Sequence, residues 1–425
     1  MSKKKLSISY ELIRKIFSIF VAAMPLLASY YSGLQGFTVC DICLVFFTLI
    51  SFFVLDSSAE YSFNITILIV GVCVIIVLSV ISMITQIIFD FAEVPIKDIF
   101  IRIIRYAFYV FVALFVCKRL LKVHILVKSI VSIALLATTF LIVQVVAYRI
   151  FGVYIKGTIS SIPLYVEGYN VADRMVFGDM FRATSFFLEP AHYSRYATIA
   201  LSIVLFRNKT VQNKDIVRGF FVSVGIILST SSQGYVLLAL IWLVFILVRL
   251  RYVQSTFVMS LFIVAICLSP ILLHIVLKIP VVSLTLKRSL NGLSAGQNAA
   301  TEARLGGVRY FLDLPTKYKI IGMGFGNIPD KSWMSSATYW LYGGGLVTFF
   351  IFLIFMVKGL IRLNGFHRIV FLCYCLLFIS DDSYYSYMLI LFLSLSLFKM
   401  ENSKSVEEKN EKEKVLFTKQ QFFKL

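Results

Sequence analysis

The residues Arg182-Ala-Thr-Ser-Phe-Phe-Leu-Glu-Pro-Ala-His-Tyr-Ser-Arg195 place two arginines, a glutamate and a histidine at the mouth of an apolar stretch. Ionisable side chains in a membrane span are costly, so each is a candidate for function. Pro190 suits the first turn of a helix, where its missing N–H costs nothing. A helix that starts there brings Glu189, His192 and Tyr196 close to one face and sets Arg195 beside His192, one turn on. The unpaired amides of its N-terminus favour an anion. Glu189 and His192 are the candidate general bases, because both titrate where burial can tune them towards neutral pH. The plainer reading of the same pair is a helix cap plus a structural ion pair with Arg195 or Arg182. Arg182, Arg195, Arg288, Arg304 and Arg309 are candidate clamps for phosphate, since guanidinium offers forked, permanently charged donors. Singly each reads as an interfacial or structural charge; as a set on one outer face they favour a phosphate or diphosphate ligand.

The elements that must position these groups are membrane helices. The chain has 425 residues, 59% of them hydrophobic, and a mean hydropathy of +0.89, far more apolar than a soluble domain. A helical span needs about 20 apolar residues. About twelve segments answer to that length, near 16–36, 39–55, 64–89, 99–117, 124–150, 188–206, 216–232, 234–250, 257–277, 337–357, 367–380 and 385–398. The fold class expected is therefore an all-α polytopic membrane protein, with residues 1–398 forming one transmembrane domain and 399–425 a charged cytoplasmic tail. Lys3-Lys4-Lys5 and Arg14-Lys15 precede an apolar stretch with no cleavage site of small residues, so an uncleaved first span with a cytoplasmic N-terminus is expected. Lys118-Arg119 with Lys122, Arg207 with Lys209 and Lys214, Arg249 with Arg251, and Lys358 with Arg362 and Arg368 then fall on the same side, as the positive-inside rule asks. The acidic loop Asp90–Asp98 and the Asp381-Asp382 turn fall outside, and both termini are cytoplasmic.

Two external segments break the pattern of short connections: 151–187 and 278–336. Loops this long are functional or disordered, and their Gly, Pro, Tyr and Ile content predicts order. The second includes an expected amphipathic helix, Thr301–Leu314, with Arg304, Val308 and Phe311 at helical spacings.

The net charge of +19 raises nucleic acid as a partner, but the cations lie in short segments between apolar runs instead of forming a basic arm, so none is expected. The seven cysteines lie in or beside apolar runs, and Cys40-x-x-Cys43 lacks the second pair or histidines of a zinc site. No metal-ligand set stands out and no cofactor is expected. Ser229-Thr230-Ser231-Ser232-Gln233-Gly234 reads as a tight turn between closely packed helices. Gly322-Met-Gly-Phe-Gly326 follows no β-strand of a βαβ unit, so close backbone packing is expected there, not a nucleotide. Gly343-Gly344-Gly345 within a span predicts close helix contact or a kink. Arg102 and Arg105, one turn apart near the outer end of the fourth span, are expected to snorkel to the interface.

An arginine, then Ser185-Phe-Phe-Leu-Glu189-Pro190-x-His192, then the small-residue turn, then Arg304 leading to Gly322-Met-Gly324-Phe-Gly326-Asn327, resembles the Wzy-type bacterial O-antigen and capsule polymerases of the O-antigen ligase/polymerase superfamily. The resemblance covers most of the chain, in its spans, its two external loops and their order. It implies a GT-C-like glycosyltransferase architecture in the bacterial cytoplasmic membrane and a metal-independent reaction. Polyprenyl-diphosphate-linked oligosaccharides would be its substrates, and a flippase and chain-length regulators its protein partners. Arg182 and Arg304 match the loop arginines that hold diphosphate, and Glu189 and His192 match the Glu-Pro-x-His segment. Relatives often carry arginine in the small-residue turn, where this chain has Gln233. Two other readings stay open: a ligase that moves finished glycan to a lipid or protein acceptor, and a lipid-linked oligosaccharide flippase. Charges gathered at one end and the absence of an internal repeat weigh against a transporter.

The topology makes a direct prediction. A cysteine introduced by Ser294→Cys in the second external loop is labelled in intact cells by a membrane-impermeant thiol reagent; labelling confined to opened cells overturns the assignment.

Overall fold

Apolar residues that run unbroken for 15 residues or more leave the backbone no partner but itself, and in a membrane the helix is the local solution. The computed structural model describes residues 3–34, 37–54, 59–62, 64–90, 93–165, 176–177, 180–208, 210–249, 307–328, 334–382 and 386–399. Its elements are α1 (Lys3–Leu27), α2 (Val39–Phe53), α3 (Thr66–Phe89), α4 (Ile96–Leu120, with a π-helical stretch at Val112–Val116) and α5 (Val123–Phe151). A hairpin of β1 (Val176–Phe177) and β2 (Met180–Phe181) follows. Then come α6 (Pro190–Phe206), α7 (Asn213–Leu228), α8 (Ser232–Arg249), α9 (Thr316–Ile321), α10 (Ser336–Arg362), α11 (Gly365–Ser380) and α12 (Met388–Leu397).

Among the described residues, five helices are long and apolar enough to cross a membrane: α3, α4, α5, α8 and α10. The chain is thus a helical membrane protein. Helices α2, α11 and α12 are apolar but shorter, at 15, 16 and 10 residues. A helix stands at each expected span except 257–277, which lies outside the described residues. The first boundary is corrected. Helix α1 begins at Lys3 and ends at Leu27, not at 16–36. Glu11 and Arg14 explain the earlier start: Glu11 pairs with Lys122 and Arg14 donates to the Arg119 carbonyl, tying the polar first turns to the α4–α5 connection. Beyond Leu27 the chain makes two bridges instead, Tyr30 with Leu164 of the segment after α5 and Tyr31 with Thr38 at the start of α2.

Helix α6 is the axis of the bundle. Every residue from Tyr193 to Phe206 is buried, and α5, α7, α8 and α11 pack around it. Its Ser194, Ala197, Thr198, Ala200 and Ser202 are small, which lets neighbouring backbones approach. A glycine faces it where the approach is closest: a Cβ on Gly234 would sit 2.7 Å from Ser194 Cβ. Tyr196 is part of this packing, since its hydroxyl donates to the Ala22 carbonyl of α1 at 2.9 Å.

The glycine-rich segment 322–326 threads between α3 and α10, as close backbone packing demands. Gly345 (φ 72°, ψ 178°) interrupts α10, and the carbonyls of Tyr342 and Gly343 beside the break accept from Met323 N (2.8 Å) and Gly324 N (3.0 Å). Helix α3 offers a polar face to the same segment. Ser82 Oγ donates to the Gly322 carbonyl (2.6 Å), Gln86 Nε2 to the Met323 carbonyl (2.9 Å), and Ser79 Oγ accepts from Phe325 N (3.0 Å). Irregular backbone at membrane depth survives only when protein satisfies it in this way.

A Cβ at Gly345 would lie 2.3 Å from the Ile320 carbonyl oxygen, at a φ that side chains disfavour. Gly152 has a similar φ of +66° but nothing within 4 Å. Gly345→Ala is therefore expected to lower the melting temperature in detergent far more than Gly152→Ala, which carries only the left-handed penalty of about 1–2 kcal/mol. Equal shifts for the two would remove the packing argument.

Candidate functional site

The site begins with the way the chain enters α6. Phe187 is buried against Tyr193 and Tyr196, and Phe186 stacks on Phe140 of α5. Ser185 is held at φ 56°, with its N–H donating to Gln144 Oε1 (2.8 Å) and its hydroxyl to the Ala137 carbonyl (2.7 Å). The loop before the helix is thereby pinned to α5. Glu189 is the N-cap residue in an extended conformation, Pro190 opens the helix, the first turn carries His192 and the second Arg195. The sequence-expected trio Glu189, His192 and Arg195 is brought together here, close enough for their charges to interact.

Arg195 is only 5% exposed. Its Nη1 lies 2.5 Å from Asp381 Oδ2 and donates to Asp382 Oδ1 at 3.4 Å. Asp381 is buried at the end of α11, whereas the Asp382 side chain is 37% exposed and interacts electrostatically with His192. Burial pushes the Asp381 carboxyl up to about 7, against the pull of Arg195 and with the help of Asp382 beside it. Burial opposes ionisation of Asp382 too, but Arg195 and the contacts with Asp381 and His192 outweigh it and hold that carboxyl below its usual range. One guanidinium thus faces one firmly ionised carboxylate and one carboxyl poised near neutrality.

Neighbouring elements lock this cluster in place. The Asp381 carbonyl accepts from both the N–H and the hydroxyl of Ser336 at 2.6 Å, fixing the start of α10. Gln233 Nε2 donates to Ser380 Oγ (2.7 Å), and Ser194 Oγ donates to Ser231 Oγ (3.0 Å). The small-residue turn therefore packs against both α6 and α11. Arg182 is half-buried and reaches the same turn, with its Nε donating to Thr230 Oγ1 at 3.3 Å. Arg309 is exposed on the helical segment 307–312, which meets α10 where a Cβ on Gly307 would touch Thr338 (2.7 Å). Arg288 and Arg304 lie outside the described residues, as do residues 301–306 of the expected amphipathic helix. In its described part Phe311 is buried, as an inward face requires, and Val308 is 36% exposed.

Arg105 does not snorkel. Its guanidinium lies 3.8 Å from the buried carboxylate of Asp41, which also accepts from the Tyr109 hydroxyl at 2.7 Å and caps the first turn of α2 with Thr38. Tyr387, at the start of α12, interacts electrostatically with Arg195 and Asp382 and with Cys40, the neighbour of Asp41 in α2. The ends of α2, α4, α6, α11 and α12 opposite the start of α1 thus share one polar belt. Among the described residues no three His, Cys, Asp or Glu side chains gather as metal ligands.

Sequence reasoning identified Glu189, His192 and the arginines but not Asp381, Asp382, Gln233 or Tyr387. The legible signal was Asp381-Asp382 itself. Two acids at the end of a span call for a cation, and Arg195 is an arginine within an apolar helix. Chemically, the arrangement offers a proton acceptor at the first turn of α6 beside a cation whose charge is already balanced. Arg182 reaches the small-residue turn packed against this helix end. No known family's model matches the chain, and no curated protein is significantly similar to it.

Removing Arg195 strands two acids in a crowded turn. Arg195→Met should cost about 3–5 kcal/mol, as breaking a buried pair does, and Arg195→Met/Asp381→Asn should recover part of that loss. A carboxyl whose folded-state pKa is raised lends stability below its ordinary pKa and loses it as pH rises through the raised value. The damage in Arg195→Met should therefore be small near pH 4 and grow up to pH 7 and beyond. Melting curves of the three proteins between pH 4 and 8 test this, and a pH-independent loss would contradict it.

Proposed function

We propose that this protein is a polysaccharide polymerase of the bacterial cytoplasmic membrane, joining polyprenyl-diphosphate-linked oligosaccharide repeat units at the external face. The observation that carries the reading is the gathering of Glu189, His192, Arg195, Asp381 and Asp382 at the end of the bundle away from the start of α1, with Arg182 on the adjoining turn. The positive-inside rule puts that end outside, where a lipid-anchored diphosphate in the outer leaflet meets it at interfacial depth.

In this mechanism the acceptor hydroxyl oxygen attacks the anomeric carbon of the donor glycan. Its proton passes to Glu189 or His192, the new glycosidic bond forms, and the bond to the diphosphate breaks with its electron pair leaving on the polyprenyl diphosphate. Arg182, with Arg304, Arg309 and Arg288 from the second external loop, stabilises that leaving group; preorganised cations at a developing charge contribute the largest share of most such accelerations. Asp381 and Asp382 hold Arg195, which keeps the first turn of α6 in register and sets the electrostatic field at His192. No metal is invoked, because the arginines supply the positive charge.

Glu189→Gln, Arg182→Ala and Arg304→Ala are each expected to lower polymer output about 10²–10³-fold while the protein still reaches the membrane. Electrophoresis of surface glycan and immunoblotting of membranes measure the two; near-normal product length in all three variants would move the site elsewhere. Deletion of the gene separates the readings by reaction class. A lost polymerase leaves single repeat units on the final acceptor, a lost ligase leaves long polymer on the lipid carrier, and a lost flippase leaves single units on the cytoplasmic leaflet. Long carrier-bound polymer would defeat the polymerase reading.

A further inference from the structure

At the opposite end of the bundle, α3 begins beside the last turn of α10, and between them lies a cavity of about 640 Å³ lined by Ser62, Asn64, Ile67, Lys358, Ile361 and Arg362. This is the end that holds the start of α1: Ala59 N donates to the Lys118 carbonyl, and the Lys118–Lys122 connection is bound by Glu11 and Arg14. Lys358 and Arg362 are four residues apart, so both project from one face of α10. Neither has a carboxylate partner among the described residues. Other cations at this end are engaged. Arg119 donates to the Ser51 carbonyl, Arg249 to the Phe206 carbonyl, Arg368 to the Leu363 carbonyl, and Lys399 pairs with Glu60. The cavity's remaining polar wall is also suited to an anion. Asn64 Oδ1 accepts from Thr66 N (2.8 Å) and Thr66 Oγ1 (2.5 Å), so what Asn64 has left to offer is its amide N–H donors.

Away from the cavity both helices present exposed apolar side chains. Ile354, Val357 and Ile361 of α10 are 50%, 54% and 67% exposed and continue the strip that ends in Lys358 and Arg362. Ile69, Val70 and Val77 of α3 are likewise exposed. The two helices pack closely at Gly71, where a Cβ would stand 3.3 Å from Ile351 Cγ2. An acyl chain fits along such a strip, and a phosphate at its end meets two cations and an amide.

We infer that this cavity is a binding site for the phosphate headgroup of an anionic phospholipid of the cytoplasmic leaflet, with Lys358 and Arg362 as its cations and Asn64 as a neutral donor. The cations explain attraction to any anionic surface; the cavity and the exposed strip explain why one lipid would be retained. A soluble phosphate shares the headgroup chemistry but has no use for the strip.

Native mass spectrometry of the full-length protein, released from an uncharged detergent with equal phosphatidylglycerol and phosphatidylcholine of the same chain length, tests the site. Wild type should keep phosphatidylglycerol and shed phosphatidylcholine. A cation near a charged headgroup is worth roughly a fivefold change in affinity, so Lys358→Gln/Arg362→Gln should weaken phosphatidylglycerol binding roughly thirtyfold. Lys214→Gln/Arg218→Gln removes two exposed cations at the same spacing and the same end and should leave binding unchanged. Asn64→Leu, which alters no charge, should weaken it measurably. Equal losses from the two cation pairs, or none from Asn64→Leu, would reduce the effect to surface charge and overturn the site. Displacement of the lipid by equimolar inorganic phosphate would overturn the lipid as its occupant. The readout is binding, so it stands whether or not the polymerase reading does.

Discussion

One ionic group, Arg195 with Asp381 and Asp382, governs how the end of this bundle away from the start of α1 is built. A guanidinium buried in the second turn of a largely apolar helix must find a counter-charge, because an unpaired charge there is prohibitively costly. Meeting that demand draws the α11–α12 turn onto α6. The Asp381 carbonyl then receives Ser336 at the start of α10, and Ser380 receives Gln233 from the α7–α8 turn. Segments far apart in the sequence are brought to one place by a single electrostatic requirement. The candidate bases, Glu189 and His192, precede that arginine at the same helix end.

Much of this was legible beforehand. Helices were readable because hydropathy over the length of a bilayer is a one-dimensional signal, and the glycine segments were readable because Gly343-Gly344-Gly345 and Gly322–Gly326 leave room only for backbone. The candidate site was half legible. Glu189, Pro190 and His192 are local in sequence, so helix geometry alone places them. Asp381 is 186 residues from Arg195 in a turn of common composition, and only tertiary packing joins the two. Arg105 was misread for a related reason: its partner, Asp41, belongs to another helix, and one helix read alone suggests the interface as the charge's only refuge. The early end of α1 was missed although Ser29, Ser32, Gly33 and Gln35 already interrupt the apolar run; beyond Leu27 the chain leaves the helix to bridge Tyr30 to Leu164 and Tyr31 to Thr38.

The two ends of the bundle use charge in opposite ways. At the end away from the start of α1, opposite charges are paired within the protein, as in Arg195 with Asp381 and Arg105 with Asp41. Such pairing fixes geometry and leaves little net field, which suits a site where a reacting group must be held in one orientation. At the basic end, several cations bind backbone carbonyls at helix termini, where the helix dipole already favours them. That arrangement secures helix ends while keeping the positive charge that fixes orientation in the membrane.

Helix α12 shows what the crowded interior asks of assembly. Its ten residues rise only about 15 Å, half of the hydrocarbon thickness, and all ten are buried against α1, α4, α5 and α11. Length alone would not keep such a segment in a bilayer, so its position is dictated by the walls of the slot it fills. Those walls come from the first, fourth, fifth and eleventh helices, and α12 is made after all of them. Order of synthesis and order of packing therefore run the same way here: the four described helices that wall the slot exist before α12, the segment that fills it.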